Sequence, residues 1–131
     1  MAKAIILNEK NQILILVRSK DESIRPSKFD LPGGGVEIGE GPDETIVREV
    51  YEETNLDLTK HPLSVEYSAT AEYKGRSIIR FVYVFRGVDT SKLKLSFEHE
   101  EHYWMDIPEA IKKYNHPVYS EAISYISKHV L

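Results

Sequence analysis

The 131-residue sequence predicts an α/β fold, a mixed β-sheet with helices on its faces. Three observations carry that expectation. Two short apolar segments joined by a polar turn open the chain, a helical pattern follows a run of three glycines, and a long hairpin precedes further segments of helical spacing.

The first strand is expected in Ala4–Asn8 (AIILN), which alternates, and the second in the apolar run Ile13–Val17 (ILILV), with the polar NEKNQ as a short hairpin turn. Ser19 to Lys28 is charged and proline-punctuated, and FDLPGGG then brings a short extended piece ending in Gly33, Gly34 and Gly35. A helix should open at Pro42, which loses no helical hydrogen bond at a first position, with Asp43 and Glu44 at the positive end of its dipole. It should end near Thr54, where Asn55 is able to take the left-handed cap conformation. Ile46, Val47, Val50 and Tyr51 form its apolar stripe, so Glu49, Glu52 and Glu53 are expected mainly elsewhere, on an acidic face open to a cleft. SVEYSATAEY and SIIRFVYVFRG surround Lys74-Gly75-Arg76, the clearest hairpin signal in the chain. The charged SFEHEEHYWM leads to IPEAIKKY and SEAISYISKHV, both of helical spacing.

Length fits a single domain over residues 1–131, and 41% hydrophobic with 29% charged residues places it among soluble globular proteins. No apolar run approaches a membrane span, and the N-terminus is too briefly apolar for a signal peptide, so the chain is expected in the cytoplasm. The net charge of −4 and the scattered basic residues argue against a nucleic-acid duplex as partner. With no Cys there are neither disulfides nor thiolate metal sites, and any metal would take oxygen or imidazole ligands.

The stretch REVYEET sets Glu49, Glu52 and Glu53 at i, i+3 and i+4, which crowds like charges on one helix. Partly enclosed, each such pair costs about 3 kcal/mol, and a fold keeps that cost when a counter-charge offsets it. Three hard carboxylates beside a glycine loop suit Mg²⁺, or Mn²⁺ in its place, bridging substrate phosphates. A solvated face with Glu44 and Arg48 paired at i+4 explains the helix alone equally well.

The upstream loop separates the two. From Gly34 to Leu56, GGVEIGEGPDETIVREVYEETNL resembles the signature of the Nudix hydrolase family, Gly-x5-Glu-x7-Arg-Glu-U-x-Glu-Glu-x-Gly-U with U aliphatic. Gly34, Glu40, Arg48, Glu49, Val50, Glu52, Glu53 and Leu56 match, and Asn55 stands where the family has Gly. The resemblance implies the family's α/β/α sandwich and hydrolysis of a nucleoside diphosphate linked to another group, by water attacking phosphorus. It implies that Glu49, Glu52 and Glu53 hold the metal with a backbone carbonyl of Gly33 or Gly34, Gly34 being preferred. Arg48 would orient the glutamates, Glu52 serve the catalytic site, and Glu40 support it. In the family an extra ligand or base sometimes comes from a later acidic loop before a Trp. Here that loop reads EHEEHYW, with Glu98 the first choice and Glu101 the second.

His99 and His102 lack the i, i+4 spacing that would put both imidazoles on one helix face, and are expected at the surface. Arg18 and Phe29 are candidates to contact phosphate and base. Tyr73 stands near where a Tyr marks diadenosine polyphosphate hydrolases of the family, and the region lacks the Pro that marks its ADP-ribose hydrolases. The expected substrate is a nucleoside triphosphate or another nucleoside diphosphate-linked small molecule. The alternatives are a diadenosine polyphosphate hydrolase and a non-catalytic nucleotide sensor. Monomer and homodimer both remain open.

Overall fold

Strand β1 (Ala2–Leu7) is buried at every residue and starts earlier than its alternation predicts. Its place at the centre of a mixed sheet explains this. It runs parallel to β6 (Arg76–Arg86), from Ala2 opposite Phe81 to Leu7 opposite Arg86, and meets β2 (Gln12–Arg18) antiparallel at Leu7 and Ile13. Away from that pair the two strands diverge, and the FDLPGG segment occupies the fork. There β3 (Phe29–Asp30) pairs with Leu16 and Val17 of β2, while β4 (Gly33–Gly34) pairs with Ala2 and Lys3 of β1. Gly33 is demanded by this fit, since its φ is +133° and a Cβ there would lie 2.1 Å from the Ala2 carbonyl oxygen.

This computed structural model describes residues 1–19, 28–114 and 117–131, so most of the proline-punctuated stretch between Ser19 and Lys28 lies outside it. The strand order is β3-β2-β1-β6-β5, with β5 spanning Val65–Tyr73. The β5–β6 turn sets Lys74 (φ 50°) and Gly75 (φ 76°) both in the left-handed region, as a tight hairpin turn of the expected kind requires. On the remaining edge of β2, β7 (His99–Asp106) pairs along its whole length. The stretch expected as an acidic loop is thus a strand from His99 onward.

Helix α1 (Pro42–Thr54) covers one sheet face, where Ile46 and Val50 pack with Ala4, Ile6, Leu14, Leu16, Tyr83 and Phe85. Helices α2 (Ile107–Lys113) and α3 (Pro117–His129) cover the other, with Ala122, Ile123 and Ile126 against Ile5, Ile13, Ile15 and Val82. Each fully buried aliphatic side chain contributes about 1.5–3 kcal/mol, so the α/β/α layering rests on these two cores. The Tyr83 hydroxyl donates to Asp43, tying the start of α1 to β6. Among the described residues no helix is long and apolar enough to cross a membrane.

One expectation for α1, and the ion pair of its alternative reading as a solvated face, need correction. Tyr51 is 56% exposed rather than part of the core stripe, because Ile46 and Val50 already fill the contact with the sheet. Glu44 does not pair with Arg48 but accepts the Gly41 N–H at 3.3 Å, satisfying a donor that the helix start leaves open. The cap falls where expected. Asn55 has φ 62°, gives its N–H to the Tyr51 carbonyl, and reaches the Lys92 carbonyl through its side chain at 3.0 Å. Asn55→Val should therefore destabilise the fold by about 1–2 kcal/mol, since a β-branched residue resists this conformation. Asn55→Gly should cost less than about 1 kcal/mol, because glycine adopts it freely and loses one exposed bond. Urea unfolding of both variants checks this, and equal stabilities would show that the left-handed conformation carries no weight.

Candidate metal and active site

Arg48 is the hub of the Gly34–Leu56 segment. Its Nε and Nη2 grip both oxygens of Glu40 at 2.7 and 2.9 Å, a fork-on-fork pairing that fixes loop to helix. Its Nη1 reaches Glu49 at 3.1 Å and Glu52 at 3.3 Å, and Nη2 donates to the Gly35 carbonyl at 3.3 Å. Glu40 also accepts the Thr45 hydroxyl at 2.7 Å, and the bond from Arg48, then that from Thr45, pulls its carboxyl down to about 2.

Glu49 lies at the centre of the acidic group. Burial raises its carboxyl above the usual range, Arg48 opposes this, and repulsion from Glu52 and Glu98 adds to the rise. Gly34 touches it so closely that a Cβ would sit 2.5 Å from the Glu49 carboxyl carbon. Glu52 is the exposed member, its side chain 55% accessible. Glu98 is half buried just ahead of β7, where its carbonyl accepts the Ser19 N–H at 2.8 Å.

Glu53 corrects the expectation of an open acidic face. It is 4% exposed, turned under the glycine loop, and its Oε1 accepts the Gly33 N–H at 2.7 Å. Burial pushes its carboxyl up to about 8, against the pull of Lys3 and of the Gly33 N–H and with added repulsion from Asp30 and Glu49. One turn of helix thus presents three different carboxylates: exposed Glu52, half-buried Glu49 and buried Glu53. Hard oxygen donors beside a backbone that leaves no space for a side chain fit a small divalent cation.

Sequence reasoning missed the charges beneath this site. His99, expected at the surface, is 3% exposed, because the bulge between Val17 and Arg18 sets it opposite Arg18 and turns it inward. It joins Lys3 and Asp30 there. The Lys3 ammonium donates to Asp30 Oδ1 at 3.0 Å, to the Leu31 carbonyl at 3.1 Å and to the Gly33 carbonyl at 3.2 Å. Burial works to raise the Asp30 carboxyl, but Lys3 and His99 outweigh it and hold the group well below the usual carboxylate range. A lysine inside the apolar run AKAIIL was the available signal, since a buried ammonium requires an acceptor.

The remaining candidates are spread more widely. Arg18, at the end of β2, donates to Asp30 Oδ2 at 3.1 Å. Phe29 is half buried, edge-on to the Tyr103 ring at 6.4 Å. Glu101 is exposed on β7 and accepts the Tyr103 hydroxyl, while His102 is exposed as expected. Tyr73 stands at the hairpin tip, five residues along from the Phe81–Ala2 pairing and so roughly 16 Å beyond it, with Lys74 over its ring. It is not in the acidic group.

An 8-oxo-dGTP diphosphatase of Escherichia coli K12 is 41% identical over 56 residues, which cover 43% of this chain and 43% of that protein. An ADP-ribose pyrophosphatase of Methanocaldococcus jannaschii is 34% identical over 110 residues, covering 71% of this chain and 64% of that protein. The chain thus spans less than two thirds of either curated relative. The crystal structure of a MutT protein from Methanosarcina mazei Go1 superposes with a TM-score of 0.80 at 28% identity, over 99% of this chain and 94% of that one. The family model of the NUDIX domain matches residues 2–125, a span that takes in the fork, the glycine loop and the acidic helix, and the chain belongs to that family.

Proposed function

We propose that the protein is a divalent-metal-dependent pyrophosphohydrolase that cleaves a nucleoside triphosphate or another nucleoside diphosphate-linked small molecule by water attack on phosphorus. The observation that carries this reading is Glu49 lying against the Gly34 backbone and Glu53 held by the Gly33 N–H, with Glu52 and Glu98 close enough to repel Glu49 and Arg48 bound to Glu40, Glu49 and Glu52. The relatives' names support the substrate class, since 8-oxo-dGTP is a nucleoside triphosphate and ADP-ribose a nucleoside diphosphate joined to a sugar.

In this reading Glu49, Glu52, Glu53 and the Gly34 carbonyl hold Mg²⁺, with Mn²⁺ able to replace it. The bound cation would neutralise phosphate oxygens as charge builds on them. Arg48 fixes the helix carboxylates relative to the loop. Glu98, beside Glu49, is the carboxylate assigned to take the proton of the attacking water, and Arg18 and Phe29 flank the phosphate and base. A cytoplasmic location suits a chain without Cys and a small nucleotide as partner.

A panel of nucleoside triphosphates, 8-oxo-dGTP, ADP-ribose and a diadenosine polyphosphate, incubated with Mg²⁺ and resolved by chromatography, tests the reading. Hydrolysis of at least one at a pyrophosphate bond is expected, and no cleavage of any would overturn it. Gly34→Ala tests the site independently. The added Cβ must displace the flexible Glu49 carboxyl rather than backbone, so the fold should survive while half-saturating Mg²⁺ rises about tenfold or more. An unchanged Mg²⁺ requirement would remove Glu49 from the metal site.

A further inference from the structure

Beneath the acidic helix lies a chain of ionisable groups of which the proposed reaction uses only Glu53. Lys3 of β1, Asp30 of β3, His99 of β7 and Glu53 of α1 are each at most 4% exposed, and they come from four separate elements. Asp30 is the centre. Its Oδ1 accepts from Lys3 at 3.0 Å and from the Leu31 N–H at 2.9 Å. Its Oδ2 faces Arg18 Nη1 at 3.1 Å and His99 Nε2 at 3.3 Å. The Tyr114 hydroxyl holds the Asp30 carbonyl at 3.1 Å.

The other imidazole nitrogen is left over. His99 Nδ1 is buried without a hydrogen-bond partner among the described residues, and it faces Glu53 Oε2 at 3.5 Å. The opposite oxygen of Glu53 is held by the Gly33 N–H at 2.7 Å. One oxygen of the carboxyl is thus held by loop backbone, and the other abuts the ring in a contact that is not a hydrogen bond.

We propose that Asp30 and His99 are a positioning pair for Glu53, anchored by Lys3, which sets the plane of this buried carboxyl for the metal. The inference rests on the reading of Glu53 as a metal ligand. Well-packed apolar side chains would serve stability as well as buried ions do, so a network crossing four elements and ending on one ligand points to geometry as its use. The three groups Asp30, Glu53 and His99 have ligand atoms within 4.8 Å of one another, which by itself resembles a metal site. Asp30 argues against that. Both its oxygens already serve cationic or N–H donors, and the Lys3 ammonium 3.0 Å away would repel a second cation. Outer partners of this kind, when removed, weaken metal affinity by about 10–100-fold without touching the metal.

The probe is Mn²⁺ alone, titrated into substrate-free protein and followed by the electron paramagnetic resonance signal of the unbound ion. His99→Leu keeps bulk and removes both ring contacts, whereas His99→Gln keeps a donor for Asp30. His99→Leu should raise the Mn²⁺ dissociation constant about tenfold or more, and His99→Gln should recover part of it. Parent-like Mn²⁺ affinity in both variants would overturn the positioning role, and should His99→Leu fail to fold, parent-like affinity in His99→Gln alone would do so. Glu53→Gln in the same titration separates the underlying reading. If it binds Mn²⁺ like the parent, Glu53 is not a ligand and both ideas fall; if it binds weakly while the His99 variants do not, the positioning role alone falls. Binding abolished by Asp30→Asn but untouched by Glu49→Gln would make the buried three a metal site in their own right and overturn the proposal.

Discussion

Glu53→Gln is expected to lower Mg²⁺-dependent hydrolysis by about 10³-fold or more while leaving the fold intact, and excess chelator should abolish the parent's activity. The size of the effect follows from where the charge sits. Glu53 is buried at the closed end of the acidic group, where water screens least, so its negative charge would act on a bound cation at close to full strength. Exposed Glu52 is screened by solvent and shares its charge with Arg48, so Glu52→Gln should cost activity by a smaller factor. The Gln side chain preserves the acceptor for the Gly33 N–H, and structural damage is therefore not the cause of the loss. Steady-state rates for the two variants across a range of Mg²⁺ check the ranking. A Glu53→Gln enzyme more active than Glu52→Gln, or parent-like activity in excess chelator, would remove Glu53 from the chemistry.

The contrast between these two glutamates shows what the sequence could and could not reveal. The spacing of Glu49, Glu52 and Glu53 at i, i+3 and i+4 was legible, as were Pro42 at the helix start, Asn55 at its end and the hairpin turn at Lys74 and Gly75, because each depends on neighbours along the chain. Helical periodicity also placed Ile46 and Val50 in the core, but it could not show that Glu53 is drawn under the glycine loop. That depends on the fork between β1 and β2, which only strand pairing creates. His99 was misjudged for the same reason. Inside a run of charged residues it looks solvated, and the bulge that turns it inward is set by its register with β2. Strand β1 hid Lys3 differently, since a strand covered on both faces has no alternation to mark where it begins.

The second large effect concerns stability without metal. Glu53→Gln should make the metal-free protein more stable, by on the order of 2–4 kcal/mol at pH 8 and by about 1 kcal/mol at pH 5.5. The sign follows from proton counting. Burial pushes the Glu53 carboxyl up to about 8 in the fold, whereas in the unfolded chain it titrates near 4.3. Between those values the folded protein holds a proton that the unfolded chain has released, so the stability this group confers is full below about pH 4 and is lost as pH rises through 8. Gln carries no such slope. Metal reverses the comparison, because the cation takes the carboxylate and stabilises the parent by about 1.4 kcal/mol at ten times its dissociation constant, a gain the variant should mostly lack. Urea unfolding of both proteins at pH 5.5 and pH 8, in chelator and in Mg²⁺, measures all these quantities. If the stability difference in chelator does not grow with pH, or if Mg²⁺ stabilises both proteins equally, then Glu53 is neither strained by its burial nor relieved by a cation, and the gathering of carboxylates at REVYEET needs another cause.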